Sequence, residues 1–328
     1  MGGNALKNTR LERKNLVDYN RIKATILETL KLHIKCEIIE EAPEKDSFGD
    51  LDVLYVSNKD INIKELVITL FNPNEIVKNG DVISFDYDAF QIDMIKATCE
   101  DFESKKFYFG YGDLGCILGK MVNFYKLKFG CQGLWINIEK TIDGEPLGLT
   151  RDVGKDFILT TKPTEFCNFF DLDYSKRREG FNTQKEMFDW ICSSKYFIKG
   201  IFQIENMADR DRMETRKVYQ NFMSYIWKDK IDTTKPKRIY LQKQAIKYFN
   251  KQEEFDSLIK QVKLFEERKT KYSGKIFMDL GFLGKEIPIK MKEFEKTIEH
   301  KMNISFYDWL DYANEDIVKT ELTNFFEK

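Results

Sequence analysis

Histidine is nearly absent from this 328-residue chain: only His33 and His300 occur, each alone on a predicted helix. That excludes a histidine metal cluster, a histidine-based hydrolase and a Ser-His-Asp triad. Paired cysteines are missing too. Cys36, Cys99, Cys116, Cys131, Cys167 and Cys192 show no short pair spacing, and most lie in apolar surroundings. They read as reduced, buried thiols of a cytosol-like compartment, not as a disulfide framework or a zinc site. No apolar run approaches the roughly eighteen residues that suggest a membrane span, so none is expected. The start, Met-Gly-Gly-Asn-Ala-Leu-Lys, lacks the apolar core of a secretion signal. Gly2 invites a myristoylation reading, but Leu6 stands where Ser or Thr is required. Whatever chemistry occurs here falls to carboxylates.

Aromatic residues are plentiful, with 27 Phe and 15 Tyr, so a sizeable core can form. Charge is balanced overall at −1 but unevenly placed. Residues 1–150 hold 19 Lys/Arg against 24 Asp/Glu, whereas Lys176 to Lys301 hold 29 against 19. A basic segment behind an acidic one suits a catalytic module followed by a polyanion-gripping module. Lysine-rich solvated helix faces produce the same composition. The length and this shift predict a catalytic domain over 1–150 and a mainly helical, candidate nucleic-acid-binding domain over 151–328.

Leu16, Ile22, Ile26, Leu30 and Leu32 recur at helical spacing within 12–34. A short strand from Cys36 follows, then a loop to Gly49, a strand over 50–56 and a helix over 62–71 stopped by Asn72-Pro73. Val82–Phe85 and Phe90–Ala97 are β-rich runs flanking the turn Asp86-Tyr-Asp-Ala. The order helix, strand, strand, helix, strand, strand predicts an α+β fold with a small mixed sheet and helices on one face. A hairpin is expected between Gly133–Ile138 and Pro146–Thr150 around Asp143-Gly144. Beyond it, helices are predicted over 163–170, 182–194, 206–228, 239–250, 252–270, 284–299 and 304–327.

The run Ser47-Phe-Gly-Asp-Leu-Asp-Val-Leu carries the chemistry. Alternate strand residues share a face, so Asp50 and Asp52 point one way while Leu51 and Val53 enter the core. Strands disfavour Asp, and two adjacent carboxylates repel unless a cation lies between them. In Phe90-Gln-Ile-Asp-Met-Ile95 the apolar residues share a face and Asp93 takes the other with Gln91. If the two strands neighbour each other, three carboxylates converge on an all-oxygen site. Magnesium suits such a site, with manganese as the alternative. Two-metal logic then predicts one ion on all three acids activating an attacking hydroxyl, and a second on Asp50 and Asp52 gripping a triphosphate. Asp93, facing only the nucleophile, is the candidate for assisting proton removal.

At these residues the chain resembles the polymerase beta nucleotidyltransferase superfamily, whose members pair a Gly-Asp-x-Asp-apolar strand with a third Asp on a later strand. The resemblance covers roughly residues 15–100 and lies nearest virus- and phage-type poly(A) polymerases and tRNA nucleotidyltransferase-like proteins. It implies a palm-like catalytic domain, two magnesium ions and an NTP substrate, ATP first. It departs at one place: members carry a Gly-Ser turn about ten residues before the first Asp, whose amides hold the triphosphate. Ile39-Glu-Glu-Ala-Pro-Glu stands there instead. Ser47 and Gly49 lie close to the acids, and Gly2-Gly3-Asn4, similar to the start of virus-encoded members, is the other candidate for that role; a frayed terminus is the plain alternative. By the same resemblance, Tyr111 and Lys120 are candidates to contact the incoming nucleotide. Close helix packing alone explains Gly112, Gly115 and Gly119, and Asp113 suits a helix cap. The Gly281-Phe-Leu-Gly-Lys285 run is similar to a helix start near the end of tRNA nucleotidyltransferase-like proteins.

Asp209-Arg-Asp-Arg-Met-Glu reads as a solvated helix face. Lys235-Pro-Lys-Arg-Ile-Tyr and Lys269-Thr-Lys-Tyr-Ser-Gly-Lys interleave bases with aromatics, which suits single-stranded nucleic acid. The favoured expectation is template-independent extension of an RNA or tRNA 3′ end. The competing one is a toxin- or defence-type transferase modifying a tRNA, a protein or a small molecule. A processivity partner or a homodimer, and a cytoplasmic site of action (host cytoplasm or virus factory for a viral member), follow from the resemblance alone.

Overall fold

The computed structural model describes residues 5–56, 61–228 and 236–327. It is α+β: a small mixed sheet with helices, followed by a helical C-terminal region. Two compact units form, Met1–Asn137 with Asp156–Phe249, and Ile138–Lys155 with Asn250–Lys328. The expected boundary at 150 does not coincide with them, because a strand after the loop returns to the first unit.

In that first unit, α1 (Leu16–Lys31) starts where the Asn15 side chain accepts the Asp18 N–H, and buries Tyr19, Ile22, Ile26 and Leu30. It is followed by β1 (Cys36–Ile38), β2 (Asp50–Val56), α2 (Ile63–Phe71), β3 (Ile76–Asn79), β4 (Val82–Tyr87) and β5 (Phe90–Ala97). The sheet order is β1-β2-β5-β4-β3, with β2 and β5 parallel and the other pairs antiparallel. β3 is not among the expected strands: it is a four-residue edge strand whose residues are at most half-buried. The hairpin turn lies within the expected Asp86–Ala89 stretch but begins two residues later. Asp88 and Ala89, both left-handed at φ 53°, form the turn, while Asp86 extends β4 and is buried. Its carboxylate accepts the Glu75 N–H at 2.7 Å and the Asn74 amide at 2.8 Å, fixing the approach to β3.

One sheet face is continuous hydrocarbon: Leu51, Val53, Phe85, Phe90, Ile92 and Met94 pack with α1 and with Ile63 and Val67 of α2. On the opposite face the apolar cover lies over the far half, where Leu54 and Ala97 meet Ile39 and Phe102. Phe102 opens α3 (Phe102–Phe109), which leads to α4 (Leu114–Phe124). A Cβ at Gly115 would lie 2.2 Å from the Tyr108 carbonyl, so that glycine permits the close α3–α4 turn.

A second sheet has the order β10-β7-β6, from β6 (Lys128–Gly130), β7 (Gly133–Asn137) and β10 (Asp156–Thr160). The hairpin expected between 133–138 and 146–150 is therefore corrected: β7 pairs with β6 and β10. Only β8 (Thr141–Ile142) and β9 (Glu145–Pro146) pair around Asp143-Gly144. The unit continues with α5 (Pro163–Phe169), α6 (Tyr174–Glu179), α7 (Gln184–Cys192), α8 (Met207–Thr215), α9 (Lys217–Ile226) and α10 (Gln242–Tyr248). The helix expected over 206–228 is broken at Arg216, which is extended.

The second unit holds the β8–β9 hairpin with α11 (Gln252–Lys271), α12 (Gly274–Asp279), α13 (Glu286–Met302), α14 (Phe306–Tyr312) and α15 (Glu315–Phe326). Phe277, Phe294, Ile298, Phe306, Leu310 and Val318 form its core. The helix expected over 304–327 is split where Asn314 caps α15. All six cysteines are free, and among the described residues no helix is long and apolar enough to cross a membrane.

Candidate metal centre

The parallel register of β2 and β5 sets Asp52 opposite Asp93 and Asp50 opposite Gln91. Asp50, Asp52 and Asp93 each turn a carboxylate oxygen toward the others, and those oxygens lie within 4.8 Å of one another. Adjacent parallel strands with alternating side chains are sufficient to produce this convergence.

Neighbours orient the third acid. Gln91 is buried and donates its amide to both Asp93 oxygens at 3.0 and 2.9 Å, while its own carbonyl oxygen accepts the Ala5 N–H at 3.0 Å. Ser84, across the β4–β5 ladder from Asp93, adds a side-chain hydrogen bond. Burial, then Asp50, Asp93 and Glu41, push Asp52 up to about 8, against a smaller opposing effect of Lys45. Asp93 is raised as well, chiefly by burial, and the Ser84 and Gln91 hydrogen bonds oppose that shift. The shifts reflect carboxylates crowded together in a desolvated site. Three carboxylates so placed could hold a hard divalent cation.

Beside the cluster runs the loop that stands where a Gly-Ser turn was expected. Lys45 donates to Glu41 at 2.5 Å and lies 5.0 Å above the Phe48 ring. Glu41 also accepts the Tyr19 hydroxyl at 3.1 Å, and Tyr19 stacks on Phe48 with centroids 3.9 Å apart. Ser47 is tied to Arg13, whose guanidinium donates to its Oγ at 3.0 Å and to its carbonyl at 2.9 Å. Gly49 is buried between Phe48 and Asp50. Gly2, Gly3 and Asn4 lie outside the described residues. The N-terminal arm that follows them is held by Glu75, whose carboxylate accepts the N–H groups of Lys7, Asn8 and Thr9 at 3.2, 2.9 and 2.9 Å.

The other candidates sit in different surroundings. Tyr111 is buried at φ 61° beneath the Arg177 guanidinium, 4.3 Å from its ring centre, and packs on Phe181. Lys120 pairs with buried Asp209 at 2.9 Å and donates to the Gln203 carbonyl, at the wall of a cavity of about 530 Å³ whose lining does not include the three aspartates. Asp209 is thus no part of a solvated face. Asp113 occupies the N-cap position of α4 without capping it, and faces Arg216 at 3.7 Å. Of the two basic–aromatic runs, Lys235 is outside the described residues. In the other, Tyr272 is buried and donates to the Met291 carbonyl at 3.0 Å.

Ser84, Glu41 and Lys45 carried no signal in the sequence, since each gains meaning only from the strand or loop brought beside it. Compared with known proteins, the chain matches no family model and no curated protein.

Proposed function

We propose that the chain is a two-metal nucleotidyltransferase that moves a nucleoside monophosphate from a triphosphate, ATP first, to the 3′ hydroxyl of an RNA, breaking the α–β phosphate bond and releasing pyrophosphate. The observation that carries this reading is the meeting of Asp50, Asp52 and Asp93 within 4.8 Å on neighbouring parallel strands. The resemblance of the Gly49-Asp-Leu-Asp-Val strand and its later strand-borne Asp to the polymerase beta superfamily supports it. Asp50, Asp52 and Asp93 would hold the ions. When bound, the ions neutralise the triphosphate and acidify the attacking hydroxyl. Asp93 is kept facing the cluster by Gln91 and Ser84, and its carboxylate is the acceptor for the hydroxyl proton. The hydrocarbon layer beneath Leu51 and Val53 fixes the strand that carries the other two acids. The basic balance from Lys176 to Lys301 favours a polyanionic acceptor over a small molecule.

The test is incubation with magnesium, labelled nucleoside triphosphates and short RNA. A ladder of extended RNA is expected, lost in Asp52→Ala. Label appearing only on protein or small acceptors would overturn the RNA assignment. Full activity in Asp52→Ala would overturn the site, and no transfer to any acceptor would overturn the reading.

A further inference from the structure

The run Lys269-Thr-Lys-Tyr-Ser-Gly-Lys275 has structural duties in the second unit. Tyr272 is enclosed by Phe277, Phe294 and Phe306, and Lys271 donates to the Leu310 carbonyl at 3.2 Å. Earlier on α11 a different face is presented. Leu258, Val262 and Phe265 recur at helical spacing, and Phe265 is 58% exposed. Together with Arg151, Val153 and Lys155 of the 147–155 loop, they line a groove of about 310 Å³. The groove belongs wholly to the second unit.

Its charge is specific. Arg151 and Lys155 are exposed on the loop wall, and Lys269 lies 5.9 Å from the Phe265 ring centre. The acid beneath, Glu266, is buried and turned to the loop, accepting the Thr150 N–H at 2.9 Å and hydroxyl at 2.8 Å. Asp152 accepts the Lys140 N–H at 2.7 Å. These bonds fasten the loop to α11 and to the β8–β9 hairpin, so the cations stand on a fixed frame. An exposed ring in an apolar trough with cations on both sides matches a base and its flanking phosphates.

We propose that this groove binds single-stranded RNA, with a base stacked on Phe265 and phosphates along Arg151, Lys155 and Lys269. The proposal deepens the acceptor half of the proposed function and rests on it for the strand's role, but its test needs no transfer. Fluorescence anisotropy of a short labelled oligouridylate would be followed on the full chain without nucleotide, between about 50 and 200 mM salt. Phe265→Ala is expected to weaken binding about tenfold and Phe265→Trp to restore it. Arg151→Glu with Lys155→Glu should weaken binding and reduce the salt slope by about two. Unaltered binding in both groove variants, no binding by the wild type, or equal preference for duplex RNA overturns the proposal. Wild-type binding that is lost in the groove variants, without any transfer, supports the groove and removes the reaction instead. Thermal melts check that the groove variants, all at exposed positions, remain folded.

Discussion

The two faces of the five-stranded sheet are built from the same strands and differ by one residue of register. Leu51, Val53, Ile92 and Met94 are fully buried beneath α1 and α2. Their neighbours Asp50, Asp52 and Asp93 stand partly open on the reverse and crowd one another. The first face lowers the free energy of the fold. The second raises it, because desolvated like charges oppose each other. Stability and chemistry are thus separated by the two-residue period of a strand, and single substitutions should affect one without the other.

The sharpest break falls on the acid face. Asp52→Ala should lower transfer on the order of 10³-fold, since the several kcal/mol supplied by metal-held charge is lost. Its melting temperature without divalent ions should equal or exceed that of the wild type. A variant that lost activity only because it unfolded would refute the separation. On the hydrocarbon face, Leu51→Ala should cost about 2–5 kcal/mol in denaturant unfolding. At temperatures where it remains folded it should still bind manganese as tightly as the wild type, measured by titration calorimetry. Weakened binding there would mean that the core sets the acids' geometry more finely than register does.

Next is the dependence on pH. Asp52 is pushed up to about 8 in the folded chain, against about 3.9 for an unperturbed aspartate. A raised folded value adds stability that is complete below about pH 4 and lost as pH climbs through about 8. Asp93 shifts in the same direction. Melts in a chelator should therefore fall over this window, and Asp52→Asn should flatten the fall. Magnesium or manganese binds the ionised acids, so the rise in melting temperature it causes should grow with pH. A metal-induced shift that shrank with rising pH would show that the ion binds elsewhere.

The acid face was legible because it follows from period two alone: Asp50 and Asp52 share a side, and Asp93 opposes its apolar neighbours. What supports it was not. Gln91 is bonded to Ala5 across 86 residues, and Glu75 holds an arm 66 to 68 residues earlier in the chain. Such contacts depend on where the N-terminal arm meets the sheet. The division into units was obscured by a non-local pairing, β10 returning to β7 beyond the β8–β9 hairpin. The break at Arg216 has no glycine or proline to mark it, and the alternating charges around Asp209 read as a solvated face because its partner Lys120 is far away in sequence. By contrast the split at Asn314 could have been read, since Asn followed by Glu315 and Asp316 is a helix start.

The smallest expected effect concerns the turn that brings Asp93 into place. Asp88 and Ala89 both adopt left-handed backbone at φ 53°, the geometry of a two-residue type I′ hairpin. The β8–β9 hairpin has the same left-handed sign at both turn residues but carries Asp143-Gly144, at φ 49° and 83°. Alanine is strained in this region and glycine is not, although glycine also loosens the unfolded chain. Ala89→Gly should therefore stabilise the protein by about 0.5–1 kcal/mol, read as a small rise in the denaturation midpoint. The Arg21–Asp88 pair at 2.5 Å and the Glu12 N–H bond to the Ala89 carbonyl at 2.8 Å already hold the turn from outside. If Ala89→Gly instead destabilises, these outside contacts fix the turn, and the strain at Ala89 is not released by removing its methyl. In either case metal binding at Asp93 should stay unchanged, because its register is set by β2 on one side and β4 on the other.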